Sequence, residues 1–419
     1  MHSTRVLGWT GWLAAALACV LAGATAQRPA AAGPDIVVGM SAAFTGASGQ
    51  LGSELYRGAQ AYFAELNAAG GIDGRRVRIK AYDDGYTPAR AIHNTIALIE
   101  QDQVPLLFGY VGTPTVTRVL PLLKRYEARG PYLLFPFTGA EPHRQPPYQE
   151  FVFNLRASYL QETAGLVDNF VAIGRRRIGI FYQADAYGRS GWDGVRKALA
   201  RHGLRLAGEA TYRRGATYET PMTAQVQALE AAGADAIVAV GAYAACAAFV
   251  RDHVNRGRDV PIANVSFVGS ESLLALLAGE SRRTGRDYTR ALINSQVVPS
   301  YEDLSLSGVR EYRALMDRHE TAPPPGIAGA AVSAQPYSFV SFEGFLDAKL
   351  LAEVLRRTGA RTDRESIRQA FRSIDRLDLG IDAPVVFGAG RTQGLDTVYY
   401  TRVEGDRFVP LDDWSPWAR

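Results

Sequence analysis

Apolar runs of strand length recur along this chain with helix-like stretches between them, and that alternation narrows the possible folds more than any other feature. The runs are "IVVGM" (36–40), "VRIKAYDD" (77–84), "VPLLFGY" (104–110), "YLLFPF" (132–137), "RIGIFYQ" (177–183), "AIVAVG" (236–241), "NVSFVG" (264–269) and "ALINSQVV" (291–298). Many are apolar on successive residues, which suits strands covered by helices on both faces; half-buried strands alternate instead. The expected class is α/β with doubly wound parallel sheets.

At 419 residues the chain is long for one compact core. An internal echo points to two lobes, one on either side of residue 155. "YTPARAIHNTIALIEQDQVPLLFGY" and "YETPMTAQVQALEAAGADAIVAVGAY" share a Tyr and Thr-Pro start, a helix, a short turn, a buried strand, then Gly and Tyr. Thr before Pro suits a helix N-cap followed by Pro at the first helical position. Further on, "TAPPPGIAGA" (321–330) is a loop by composition, and "SFVSFEGFLDAKLLAEVLRR" (338–357) has the apolar spacing of an amphipathic helix. "DTVYYTRVEGDRFVPL" (396–411) reads as a closing hairpin around Glu404-Gly405-Asp406.

Residues 1–26 read as an export signal: a weakly basic start, the apolar "VLGWTGWLAAALACVLAG", and Ala24-Thr25-Ala26 ahead of Gln27. Cleavage after Ala26 is the expectation, with a membrane anchor or lipid attachment at Cys19 as alternatives. After cleavage Cys246 is the remaining thiol, so no internal disulfide can form; in its Ala-rich helical pattern it reads as a small buried hydrophobe. The 46 basic and 42 acidic residues are mixed along the chain, which argues against a nucleic-acid partner.

The Gly-rich "FTGASGQLG" (44–52) lacks the Gly-Lys of a phosphate loop, and Gly46, Gly49 and Gly52 miss the dinucleotide spacing. Its N–H groups, with Ser41, Thr45, Ser48 and Ser53, would suit a carboxylate; the alternative is that the glycines only shape a turn. No nucleophile elbow, zinc-protease or paired-cysteine motif is present, and the histidines are scattered, with His253 expected to be solvated on a polar helix face. Asp83 and Asp84 are neighbours on a strand and point to opposite faces, so they are expected to cap "GYTPARA" and not to form a catalytic dyad. Neither catalysis, metal nor cofactor is expected. In open α/β sheets ligands bind beyond the carboxyl ends of strands. Those ends here are "GYVGTPT", "PFTGAEP", "YQADAYG", "VGAYAA" and "VGSES", rich in hydroxyls, glycines and tyrosines with one acid, Glu271. That lining fits a small molecule with apolar bulk and a few polar handles.

"VGMSAAFTGASGQLGSELYRGAQAYFAELNAAGGIDGRRVRIKAYDDGYTPARA" resembles the first lobe of type I periplasmic binding proteins, in particular the leucine/isoleucine/valine-binding family that feeds ABC importers. "FVFNLRASYLQETAGLVDNFVAIGRRRIGIFYQADAYGRSGWDGVRKAL" resembles the crossing into the second lobe, and "FVGSES" and "SFEGFLDAKLLAEVL" also have counterparts there. The resemblance, from about residue 35 to about residue 410, implies two parallel-sheet lobes joined by three crossovers. Lobe 1 would hold 35–155 plus 298–393, and lobe 2 156–297 plus 394–419. It implies a periplasmic receptor that closes over an amino acid or related small carboxylate or amide and delivers it to ABC permease subunits at the inner membrane; a sensor subunit reporting to a signalling partner is the alternative. By position it implies that Thr113 receives the ligand carboxylate, that Phe137, Thr138 and Gly139 form the next contact segment, that Tyr187 and Tyr243 cover the ligand, and that Glu271 pairs with an α-ammonium. The family's cysteine pair is replaced by Tyr86 and Gly112, and bulky Phe137 stands near the cleft, so leucine itself fits poorly and an aromatic or otherwise altered acid, or an amide, fits better.

Overall fold

The computed structural model describes residues 1–2, 33–319, 322–332, 335–388 and 390–419. The expected signal, its cleavage site and Cys19 lie outside the described residues. The first half of the chain runs β1 (Ile36–Ala42), α1 (Gly49–Ala68), β2 (Val77–Asp83), α2 (Pro88–Glu100), β3 (Leu106–Phe108), α3 (Thr113–Arg125), β4 (Leu133–Leu134), β5 (Val152–Phe153), α4 (Tyr159–Ala172), β6 (Ile178–Gln183), α5 (Ala186–Arg201) and β7 (Glu209–Tyr212). It continues through α6 (Thr223–Ala231), β8 (Ala236–Val240), α7 (Tyr243–Asn255), β9 (Ile262–Asn264), α8 (Ser270–Thr284), β10 (Leu292–Gln296), α9 (Ser307–Arg318), α10 (Phe339–Arg357), α11 (Arg364–Arg372), β11 (Tyr399–Glu404) and β12 (Arg407–Pro410).

Among the described residues these strands form two sheets. One is parallel throughout, in the order β2-β1-β3-β4-β5. The other runs β12-β11-β10-β9-β8-β6-β7, with β6 to β10 parallel and the terminal hairpin added antiparallel at the β10 edge. In each parallel block the second strand lies on one side of the first and the third strand on the other. That reversal is a topological switch point, and it opens a crevice at the strand carboxyl ends. The internal echo has its origin here, because α2 leads from β2 to β3 and α6 leads from β7 to β8. The match is imperfect at the start: Pro88 opens α2 behind Thr87, whereas α6 begins at Thr223 with Met222 as its N-cap. The Thr220 hydroxyl instead accepts from the Thr217 N–H, 3.0 Å away, in a turn of its own.

Two expected strands depart furthest from their apolar runs. "YLLFPF" pairs regularly only over Leu133–Leu134, since Phe135 turns to a left-handed backbone with φ of 53° and Pro136 has no N–H to donate. "NVSFVG" is the tail of a strand and not a strand: pairing ends at Asn264, residues 266–268 form one tight 3-10 turn, and Gly269, with φ of 77°, reverses the chain into α8. This turn lifts Phe267 out of the sheet.

The chain crosses between sheets after β5, after β10 and before β11. The first and last crossings are zipped together by Asn154 N–H to Thr392 O (2.7 Å), Gly394 N–H to Asn154 O (2.8 Å) and Leu395 N–H to Leu155 O (2.9 Å). Helices α10 and α11 return to the first sheet. There Phe345 meets Tyr62 of α1 edge to face at 5.3 Å, and Phe371 stacks on Phe153 at 3.7 Å. Ser338 caps α10 by accepting from Ser341 N–H, which satisfies one of the amides left over at a helix start. No helix among the described residues is long and apolar enough to cross a membrane.

Candidate ligand-binding site

The Gly-rich turn after β1 spends its first donors on the acids that end β2, while the Ser53 hydroxyl further on is buried without a hydrogen bond. The N–H groups of Phe44 and Thr45 donate to Asp83 Oδ1 at 2.9 and 3.1 Å, and Thr45 Oγ1 donates to Asp83 Oδ2 at 2.8 Å. Ser41 Oγ donates to Asp84 Oδ2 at 2.8 Å, and Asp84 Oδ1 accepts the Tyr86 N–H at 2.8 Å. Both acids therefore brace the turn, and the site lies beyond it. Gly52 serves close approach, since a Cβ there would sit 2.1 Å from the Ala43 carbonyl oxygen.

The edges of the two switch points meet over a fully enclosed cluster. From the first sheet come Tyr86, Thr113 and, on the segment after β4, Phe137 and Thr138. From the second come Gln183 at the end of β6, Tyr187 in the first turn of α5, and Phe267. Thr113 Oγ1 and Thr138 Oγ1 share a hydrogen bond of 2.6 Å, and both hydroxyls face the Tyr159 phenol. Phe267 is the centre of the apolar wall: its ring centroid lies 5.2 Å from Phe137, 4.7 Å from Tyr187 and 6.0 Å from Tyr86. Tyr159 adds a contact to Tyr187 at 5.3 Å. Gly139 gives room to Tyr159, whose ring a Cβ would meet at 2.6 Å. Tyr86 holds φ at 61°, a rare value for a bulky residue, and its ring covers Gly112, where a Cβ would sit 2.1 Å from Cε2. Outside Tyr86, Pro88, Ile92, Pro114, Thr117, Asp185 and Arg214 line a cavity of about 420 Å³ between the lobes.

Two of the expected contact residues stand elsewhere. Tyr243, half-buried at the start of α7, lies with Leu51 beside Gly269. The Glu271 carboxylate accepts the Phe339 N–H at the start of α10 (3.2 Å) and faces Tyr301. Burial pushes Glu271 up to about 7 despite those donors. The structure thus brings Thr113, Phe137, Thr138 and Tyr187 together, sets Gly139 behind them, and places Tyr243 and Glu271 on a separate contact between α1, α7, α8 and α10.

Sequence reasoning missed the charge at the base of the cluster. Arg156, on the first crossing, is 1% exposed, and its guanidinium lies 4.6 Å over the Phe137 ring. One Nη2–H goes to Ser266 Oγ; Glu162 of α4 is 3.6 Å away and Glu343 of α10 is 3.5 Å away. Glu162 in turn accepts from Ser266 N–H (2.7 Å), Ser266 Oγ (3.0 Å) and Ser295 Oγ (2.7 Å). Burial raises Glu343 and Asp347 above the usual carboxylate range, although Arg156 pulls both back. The signal was an Arg and a Glu inside the apolar "NLRASYLQET". His253 also departs from expectation: it is buried against Phe249 with neither ring nitrogen hydrogen-bonded, and burial lowers it to about 4.

Asp84 gives the cluster's flank a testable pH dependence. Burial pushes it up to about 7, against the lowering effect of the Ser41 and Tyr86 donors, whereas an unfolded Asp titrates near 4. Between those values the unfolded chain releases a proton that the folded chain keeps, so Asp84's contribution to stability is present below about pH 4 and lost as pH rises through about 7. The shift is worth roughly 4 kcal/mol at most. Asp84→Asn, which keeps the Tyr86 contact, is expected to flatten the fall in urea midpoint across that window; an unchanged slope would show that Asp84 ionises freely in the folded chain.

Two parallel-sheet lobes whose switch points face one another over an enclosed site define the two-lobed ligand-binding proteins. The chain belongs to the type I periplasmic binding protein family, in its leucine/isoleucine/valine-binding branch: a profile described as periplasmic binding protein matches residues 35–407. It is similar to a possible leucine/isoleucine/valine-binding protein from Rhodopirellula baltica SH 1, with 30% identity and a TM-score of 0.80 over 92% of this chain and 98% of that one. It is also 24% identical to an amino acid binding protein of Pseudomonas aeruginosa, over 53% of this chain and 58% of the relative. To Leu/Ile/Val-binding protein homolog 3 of Brucella melitensis it is 26% identical, over 54% and 60% respectively. The chain thus spans less than two thirds of these two curated relatives' length. The family is one of binding proteins and not of enzymes.

Proposed function

We propose that this protein is the periplasmic substrate-binding component of an ABC importer, taking an amino acid or a related small carboxylate or amide into the cleft between lobe 1 (35–155 plus 298–393) and lobe 2 (156–297 plus 394–419). The observation that carries the reading is the enclosed cluster itself: hydroxyls from one lobe and aromatic rings from both converge where the two switch points meet. A guest touching both walls binds the closed form better than the open one, and so draws the lobes together. The names of the P. aeruginosa and B. melitensis relatives, which bind amino acids, support the choice of guest. In this reading Thr113, Thr138 and the Gly139 segment take the guest's polar end and Phe137 and Tyr187 take its body, while Tyr243 and Glu271, on their separate contact, stand off the guest.

Isothermal titration of the purified protein against amino acids, amides and aromatic acids, with small-angle scattering on each mixture, tests the proposal. A guest is expected to bind with a measurable fall in radius of gyration. Thr113→Val keeps shape but removes a donor from a buried polar contact, and is expected to weaken binding about tenfold or more. Binding that leaves the scattering curve unchanged and ignores Thr113→Val would place the guest outside the cleft.

A further inference from the structure

We infer that the guest is a planar aromatic carboxylate without an α-ammonium, held by its ring faces between Phe267 of one lobe and Tyr86 and Phe137 of the other; this rests on the interlobe reading above. The first support is the shape of the wall. Phe267 faces Tyr86 at an interplanar angle of 30° and Phe137 at 34°, so the rings that part when the lobes separate are close to parallel. A flat π system entering the parted walls presents a face to each, whereas a branched aliphatic chain cannot match two near-parallel planes. The Tyr86 ring is held in this position at some expense, with positive φ and a bare Gly112 beneath it.

The second support is the balance of donors and acceptors. The cluster has donors to spare: one of the paired Thr113 and Thr138 hydroxyls, the Tyr159 phenol, and Arg156 Nε, which makes no hydrogen bond among the described residues. Most of the acids around it are already engaged. Glu162 is held by Ser266, Ser295 and Arg156, and Asp84 by Ser41 and Tyr86. Asp185 is held by Gln183, the Tyr187 N–H and Arg214, and Glu271 lies off the cluster on the Phe339 N–H. A carboxylate brought here finds partners; an ammonium finds one acid without a hydrogen bond, Asp347, which already faces Glu343 and Arg156, and burying an unpaired charge is strongly unfavourable.

Titration of the purified protein with benzoate, cyclohexanecarboxylate and L-leucine separates the possibilities. Cyclohexanecarboxylate has the same acid and nearly the same bulk without a π face, and leucine adds the ammonium. Benzoate is expected to bind at least tenfold tighter than either, with a contraction in scattering. Phe267→Leu keeps apolar volume and is expected to bring the benzoate and cyclohexanecarboxylate affinities to within about threefold of one another. Leucine or cyclohexanecarboxylate binding as tightly as benzoate, or benzoate failing to bind, overturns the inference. Contraction with leucine bound as tightly as benzoate would leave the cleft reading standing while this one falls, and benzoate bound without contraction, at unchanged affinity in Phe267→Leu, would sink both.

Discussion

Arg156→Met is expected to cost the fold about 3–5 kcal/mol, read as a lower urea midpoint at unchanged slope. The guanidinium is enclosed between both lobes, with Glu162 and Ser266 on one side and Phe137 and Glu343 on the other. Met restores most of the volume and contact with the Phe137 ring, so the loss isolates the charge. What remains is Glu162, fully buried and held by hydroxyl and amide donors but without a counter-charge, together with Glu343, which burial already holds above the usual carboxylate range. Removing one member of a buried pair is far worse than removing both, because the survivor keeps its desolvation cost. Arg156→Met with Glu162→Gln is therefore expected to be more stable than Arg156→Met alone. A single variant within about 1 kcal/mol of the parent would mean that Glu162 is fully compensated by its donors.

How far all this could be read beforehand depends on the range of the interaction. Runs such as "RIGIFYQ" and "AIVAVG" declare their strands because burial on both faces is written into consecutive residues, and α10 declares itself by apolar spacing and a serine cap. The hairpin turns at Gly405 and Asp406, as its composition predicts. Phe267 was hidden, since its run reads as a strand and only the chain reversal at Gly269 frees the ring for the cleft. The two-residue β5 and the short β7 carry too few residues to show a period. Arg156 and Glu162 are visible as charges in an apolar stretch, but Glu343, which stands opposite, is far away in sequence and no local pattern links them. Topology marks the strand-end segments that converge in an open sheet, and the family resemblance singles out Thr113, Thr138 and Tyr187 within them. The same resemblance implies Glu271, yet α8 starts where α10 offers its first N–H, and that local donor claims the carboxylate.

Gly58 and Gly279 look alike in sequence, each inside a helical pattern, and their replacement by Ala is expected to move stability in opposite directions. Where α1 crosses α10, a Cβ on Gly58 would lie 1.7 Å from the Ser341 carbonyl oxygen, and one on Gly344 would lie 2.1 Å from the Leu55 carbonyl oxygen. The helices touch backbone to backbone, so Gly58→Ala must push them apart. Separation strains the Tyr62–Phe345 ring contact one turn away and the Ser338 Oγ to Glu54 hydrogen bond of 2.6 Å on the other side. Overpacking of this kind costs about 1–3 kcal/mol, more than the gain of up to about 1 kcal/mol in helix propensity. Gly279, in α8, has nothing within 4 Å of its would-be Cβ, so there the propensity gain stands alone. Urea unfolding of the two variants is expected to show a lower midpoint for Gly58→Ala and a slightly higher one for Gly279→Ala. Because α1 begins directly behind the turn that Asp83 braces, Gly58→Ala is also expected to weaken guest binding, while Gly279→Ala leaves it unchanged; equal effects from the two would mean that α1 and α10 yield without resistance.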